Sequence, residues 1–158
     1  MPSVRPLFAA LLLLGACGGR SEAQAATPAA ASASAGSEVR LNIQTSANSN
    51  NGTALQVLVR ETNKVDYPRS NYQEVANSLL AEADPKALDW FVVLPGQNRV
   101  ETVKRPKQGA LAVYFLFTNP GRRWRYLLDN QSAQQIEFLI GRDQITQARV
   151  VGAKAGSS

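Results

Sequence analysis

The stretch Ala110-Leu111-Ala112-Val113-Tyr114-Phe115-Leu116-Phe117 is apolar at every position. In an extended chain, Leu111, Val113, Phe115 and Phe117 point to one side, and Ala110, Ala112, Tyr114 and Leu116 to the other. A strand with two apolar sides needs cover on both, so this one is expected to lie inside a sheet. Everything else in the fold must supply that cover.

The flanking segments read as half-buried strands. Val39, Leu41 and Ile43 alternate with Arg40, Asn42 and Gln44, and Leu55, Val57 and Val59 repeat the pattern. Trp90 to Leu94 forms a short apolar strand ended by Pro95-Gly96, and Val100 and Val103 lie in a more polar strand reaching Lys104. After Asn119-Pro120-Gly121, a second turn signal, come Trp124, Tyr126 and Leu128, then Ile136, Phe138 and Ile140. Gly141-Arg142-Asp143 turns the chain into a last strand through Val151.

One helix interrupts this series. Tyr72, Val75, Ala76, Leu79 and Leu80 share one face, Ser70 or Asn71 can cap it, and Asn71 with Glu74 has capping-box spacing. Asp84-Pro85 is expected to start a further short helical turn through Leu88. The helix could serve as a docking element, but closing one end or edge of a sheet explains it more simply. The expected fold is all-β: a two-sheet β-sandwich of about eight strands with one inserted helix.

The N-terminus is different in kind. Leu7 to Leu14 is a short apolar run, followed by Gly15-Ala16 and Cys17, the single cysteine of the chain. This has the shape of an export signal and is too short to span a bilayer. Leu14-Gly15-Ala16-Cys17 resembles the lipobox of bacterial lipoproteins. The resemblance implies cleavage before Cys17, a diacylglyceryl thioether on its sulfur and an acyl group on its new N-terminus. Gly18 follows in place of the Asp often found in lipoproteins kept at the inner membrane, which favours the outer membrane. From Gly18 to Ser37 the chain is mostly Ala, Ser, Gly, Gln and Thr, with nothing large to bury. It reads as a flexible linker spanning about 25 Å. The expected organisation is a signal peptide at 1–16, lipidated Cys17 and linker at 17–38, a sandwich at 39–151 and a frayed tail at 152–158.

Composition narrows the chemistry. Histidine is absent, which removes the commonest general acid–base group and metal ligand. An acylated Cys17 is no nucleophile, the acidic residues are scattered, and no phosphate loop or nucleophile elbow is present. A hydrolase working through paired carboxylates is the weakest reading. No cofactor beyond the covalent lipid, no metal and no catalytic residue is expected. The net charge of +5 is too mild and too dispersed for nucleic-acid binding.

Two surfaces remain as binding candidates. Arg122, Arg123 and Arg125 surround Trp124, with Lys104, Arg105 and Lys107 upstream. They form either a basic patch for lipid, peptidoglycan or an acidic partner, or solvated charge around a core tryptophan. The second surface is the polar loop Ser46, Ala47, Asn48, Ser49, Asn50, Asn51, Gly52 and Thr53, read as a hairpin tip with Asn51-Gly52 as its turn signal.

The lipobox, the small-residue linker, Leu41-Asn42-Ile43-Gln44-Thr45-Ser46, the Asn-rich loop and Gln56-Val57-Leu58-Val59-Arg60 together resemble the TssJ family. These are outer-membrane lipoproteins of the type VI secretion system. Val93-Leu94-Pro95-Gly96-Gln97-Asn98-Arg99 and Phe117-Thr118-Asn119-Pro120-Gly121-Arg122-Arg123-Trp124-Arg125 are similar to the family's later strands and turns. Arg60-Glu61-Thr62-Asn63 departs from its usual arginine, aromatic and leucine. The resemblance implies a transthyretin-like sandwich facing the periplasm, tethered to outer-membrane lipid through Cys17. It also implies that Ser46 to Thr53 binds the periplasmic domain of the inner-membrane component TssM. The alternative is a lipoprotein binding module for peptidoglycan, glycan or a small ligand.

Overall fold

The computed structural model describes residues 38–80 and 84–152. The signal segment, Cys17, the linker and the last six residues lie outside the described residues.

Eight strands form two sheets. They are β1 (Glu38–Thr45), β2 (Leu55–Thr62), β3 (Ala87–Val93), β4 (Asn98–Lys104), β5 (Ala110–Leu116), β6 (Arg125–Leu128), β7 (Gln135–Ile140) and β8 (Ile145–Val151). One sheet has the order β4-β1-β7-β8 and the other β3-β2-β5-β6. All pairings are antiparallel except β1 with β7, where Leu41 lies beside Ile136 and Ile43 beside Phe138. The two-sheet sandwich expected from the alternation is the architecture observed.

The apolar sides predicted for the strands meet between the sheets. Leu41, Ile43, Val57, Val59, Val113, Phe115, Ile136 and Phe138 are all fully buried there. Phe138 sits edge-on to Phe115 and to Tyr126, with ring centroids 5.2 and 5.4 Å apart. Such pairs add to the stabilisation from apolar area.

β5 occupies an interior position and is buried on both sides, as its sequence requires. Its Ala112 and Tyr114 join Leu58 and Val75 in a second cluster on the outer face of the sheet. Val75 belongs to α2 (Tyr72–Leu80), so the helix lies across that outer face and does not close an end or edge of the sheet. Asn71 caps α2 by accepting from the Gln73 N–H at 2.8 Å.

A second, unexpected helical turn, α1 (Asp66–Arg69), precedes α2. Asn63 Oδ1 accepts from the Val65 and Asp66 N–H groups at its start. Arg125 caps its other end: Nη1 donates to the carbonyls of Tyr67 and Ser70, each at 2.6 Å. The guanidinium also packs 4.7 Å from the Tyr67 ring and 5.1 Å from that of Trp124.

The helical turn expected from Asp84 to Leu88 does not form. Asp84 Oδ1 accepts from the Lys86 N–H, and β3 begins at Ala87. Pairing of Ala87 with Arg60 outweighs the local Asp-Pro signal, and Glu61 donates its N–H to the Lys86 carbonyl at 2.9 Å.

Both open sides of the sandwich are managed. Arg99, on edge strand β4, crosses to the other sheet, where Nη1 donates to the Val92 carbonyl at 2.8 Å and the guanidinium lies 4.9 Å from the Phe91 ring. Glu101 accepts from the same guanidinium. A paired charge on an edge strand discourages strand addition there. On the other side, the Ile145 N–H donates to the Arg123 carbonyl at 2.8 Å.

Burial raises the phenol pKa values of Tyr67, Tyr72 and Tyr126, with the Asp129 carboxylate adding to the rise at Tyr126 and Arg125 opposing it at Tyr67. The folded chain therefore holds these protons more tightly than the unfolded chain. Their contribution is intact below about pH 10 and is lost as pH rises through the raised values. Urea unfolding followed from pH 8 to 11 should show stability declining above about pH 10. Tyr72 donates its hydroxyl to the Phe117 carbonyl. Tyr72→Phe should cost about 1 kcal/mol at pH 8 and flatten the alkaline decline.

A candidate partner-binding end

Strand direction gathers four loops at one end of the sandwich. The segments 46–54, 94–97, 117–124 and 141–144 follow β1, β3, β5 and β7, which all run the same way. The start of β1 lies at the opposite end, with segments 105–109 and 129–134.

The loop from Ser46 to Thr53 is not a hairpin tip. β1 and β2 belong to different sheets, so it crosses from one layer to the other. A crossing loop takes polar backbone into the interior, where each group needs a partner. Ser49 and Asn50 meet this need and are almost completely buried, at 1% and 2% exposure. Ser49 Oγ accepts from the Ser46 N–H and donates to the Ile140 carbonyl at 2.7 Å, reaching the end of β7. Asn50 Oδ1 accepts from the Thr118 N–H and Nδ2 donates to the Ala54 carbonyl, both at 2.7 Å. One side chain thus ties the loop to itself and to the segment after β5.

Three successive positive φ angles make this possible: 49° at Asn50, 54° at Asn51 and 76° at Gly52. Asn and Gly tolerate the left-handed region best, so the Asn-Asn-Gly sequence encodes a compact turn. Thr53 Oγ1 closes it by donating to the Asn50 carbonyl at 2.7 Å.

The predicted loop therefore divides in two. Ser49 and Asn50 hold the end together and cannot contact a partner. Ser46, Ala47, Asn48, Asn51, Gly52 and Thr53 are exposed. The Ser46 carbonyl accepts from the Gly96 N–H at 3.0 Å, and Thr45 Oγ1 donates to the Leu94 and Gln97 carbonyls, fixing the β3–β4 turn alongside. Asn51 Oδ1 accepts from Arg142 Nε at 2.6 Å, and the Gly121 N–H donates to the Asp143 carbonyl at 2.8 Å. Arg142, absent from the expected site, becomes part of it. Its signal in the sequence was no more than a basic residue in a turn.

The basic patch comes apart. Arg125 is occupied with α1, while Trp124 is half-buried between Tyr72 and Tyr114. Lys104, Arg105 and Lys107 lie at the far end, where Arg105 donates to the Ala133 carbonyl. Only Arg122 and Arg123 remain at the loop end, joined there by Arg142. Among the described residues, no group of His, Cys, Asp or Glu is placed to hold a metal, and no helix is long and apolar enough to cross a membrane.

These features define a β-sandwich of the TssJ type. The type VI secretion lipoprotein TssJ1 from Pseudomonas aeruginosa superposes with a TM-score of 0.60 at 17% identity, over 75% of this chain and 98% of that one. Lip from Serratia marcescens, a membrane-bound component of the type VI secretion system, gives 0.57 at 14%, over 75% and 99%. A chain in the structure of the TssM C-terminal domain from EAEC gives 0.53 at 14%, over 73% and 99%. The chain belongs to the family described as IglE, N-terminal domain, whose model matches residues 56–140, more than half its length. That match begins within β2 and ends with β7, so it omits the crossing loop. No curated protein sequence matches the chain.

Asn50→Ala should strand the Thr118 N–H and strain a positive φ, lowering unfolding stability by about 2–3 kcal/mol. Asn51→Gly keeps the backbone and loses one exposed contact, so it should change stability by about 0.5 kcal/mol or less. Urea denaturation of the two variants tests this division of the loop.

Proposed function

We propose that this chain is an outer-membrane lipoprotein of a type VI secretion membrane complex, holding the periplasmic domain of the inner-membrane component TssM. It is a structural protein and not an enzyme. The observation that carries the reading is the two-ended layout. Residues 1–37, which include Cys17, join the sandwich at the start of β1, opposite the four loops. An acylated Cys17 on a flexible linker would leave the loop end free to be engaged in the periplasm. Two or more acyl chains, at about 0.8 kcal/mol per buried CH₂, suit a complex under mechanical load, whereas one binds only marginally. The fold likeness to secretion-system lipoproteins, and to a chain in a structure of the TssM C-terminal domain, supports the same reading.

Two measurements test it. Cys17→Ser should leave the sandwich folded and move the chain from the membrane fraction to the soluble periplasmic fraction. Its persistence in the membrane would refute the lipid anchor. Ala47→Trp with Asn48→Trp alters the exposed part of the loop and spares Ser49 and Asn50. This variant should lose capture of the TssM periplasmic domain while keeping the wild-type unfolding midpoint. Undiminished capture would remove the loop from the interface.

A second reading, a glycan-binding module, has one observation in its favour. A groove of about 460 Å³ on the outer face of the helix-covered sheet is lined by Gln56, Ser78, Asp84 and Trp90, among others, and Trp90 is 58% exposed. An exposed aromatic face beside amide and hydroxyl groups suits a sugar ring. Titration with N-acetylglucosamine oligomers while following tryptophan fluorescence, with Trp90→Phe as the control against Trp124, decides it; a spectrum unchanged in the wild type removes this reading.

A further inference from the structure

The described lysines of the sandwich share one end, where Arg105 also lies. Lys64, Lys86, Lys104 and Lys107 all lie at the end where β1 starts: after β2, before β3, at the end of β4 and before β5. The four loops at the opposite end contain no lysine. They carry Arg122, Arg123 and Arg142 instead, with Asp143 as their one acidic residue.

All three arginines are exposed. None is in an ion pair among the described residues; the pairs found there involve Arg60, Lys64, Lys86, Arg99 and Arg149. Two are nevertheless oriented. Arg142 Nε rests on Asn51 Oδ1, and Arg123 Nη1 donates to the Thr146 carbonyl at 3.0 Å. Arg142 therefore presents its terminal nitrogens beside the exposed part of the crossing loop, from a partly fixed position.

We infer that the loop end recognises a carboxylate-rich protein segment, with Arg122 and Arg142 as its electrostatic contacts. The inference rests on the reading of that end as the partner site, and it names the partner's chemistry. Three guanidinium groups against one carboxylate make a surface that attracts negative charge. Guanidinium forks match carboxylates bidentately, and arginine is favoured in protein interfaces where lysine is depleted. Anionic lipid is the other occupant such a surface would attract, and a vesicle probe separates the two.

The test uses the full chain in detergent, immobilised TssM periplasmic domain, and two further probes: polyglutamate and vesicles containing phosphatidylglycerol. Arg122 makes no contact that the fold needs, so Arg122→Glu should weaken TssM binding several-fold with no loss of stability. Arg122→Glu with Arg142→Glu should weaken it at least about tenfold at low salt, and the difference should shrink in about 0.5 M NaCl. If wild-type and doubly reversed chains bind TssM equally, the inference falls and the TssM reading stands. If the wild type ignores TssM but binds polyglutamate through Arg122, the inference stands and the TssM reading falls. Arg122-dependent binding to the vesicles and not to polyglutamate would overturn it in favour of a lipid contact.

Discussion

The structure depends on the two-sided burial of β5. A strand apolar on both sides cannot sit in a two-layer sandwich with its outer face in water, because Ala112 and Tyr114 would be left exposed. The chain meets this constraint by placing α1 and α2 between β2 and β3 and laying them over the outer face of that sheet. Tyr114 is then enclosed by Tyr67, Trp124 and Val75, and its hydroxyl reaches Ser70 Oγ at 3.2 Å. Arg125 belongs to the same solution. By capping α1 and lying over Tyr67, it fixes the outer layer to β6. Among the described residues the other sheet has no such cover, and its outer face is mostly polar, with Asn42, Gln44, Glu137, Gln147 and Arg149 beside the exposed Val100 and Leu139.

The loop end follows a different rule. Its shape is set by hydrogen bonds from a few short side chains and by little apolar area. Ser49 and Asn50 take the place of strand partners where the chain changes sheet, and Thr45 and Ser46 tie in the β3–β4 turn. Each bond contributes about 1 kcal/mol net, and each would cost more if one partner were lost, so the network resists partial opening. A surface built on it is ordered before any partner arrives.

Much of this was legible in the sequence because it rests on local periodicity. The alternation at Val39, Leu41 and Ile43, the two-sided apolar run of β5 and the face shared by Val75 and Leu79 each follow from side-chain geometry within one element. The rest is non-local. Nothing near Asn51-Gly52 says that β1 and β2 part into different sheets, and the pair carries the same turn signal as a hairpin tip. Asp84-Pro85 is a sound helix start, overridden by the pairing of Ala87 with Arg60. Arg125 and Arg142 look alike in sequence; Arg125 opens β6 in the helix-covered sheet and caps a helical turn, whereas Arg142 follows β7 of the other sheet and meets the crossing loop. A side chain's role in a loop or cap depends on its distant partner, which periodicity does not encode.

Rigidity at the loop end has a consequence for binding. Ordering a flexible eight-residue loop on association would offset much of the gain from contact, at about 1–2 kcal/mol per fixed residue. Here Asn50, Asn51 and Gly52 already hold their left-handed conformations, and Ser49 already reaches the end of β7. Most of that entropy is therefore lost when the domain folds. The small exposed side chains at Ala47, Asn48 and Gly52 add little rotamer freedom of their own. The loop is physically closer to a moulded surface than to a simple hairpin tip. Specificity can then rest on a few exposed atoms and on the arginines beside them, while the buried Ser49 and Asn50 keep those atoms in place.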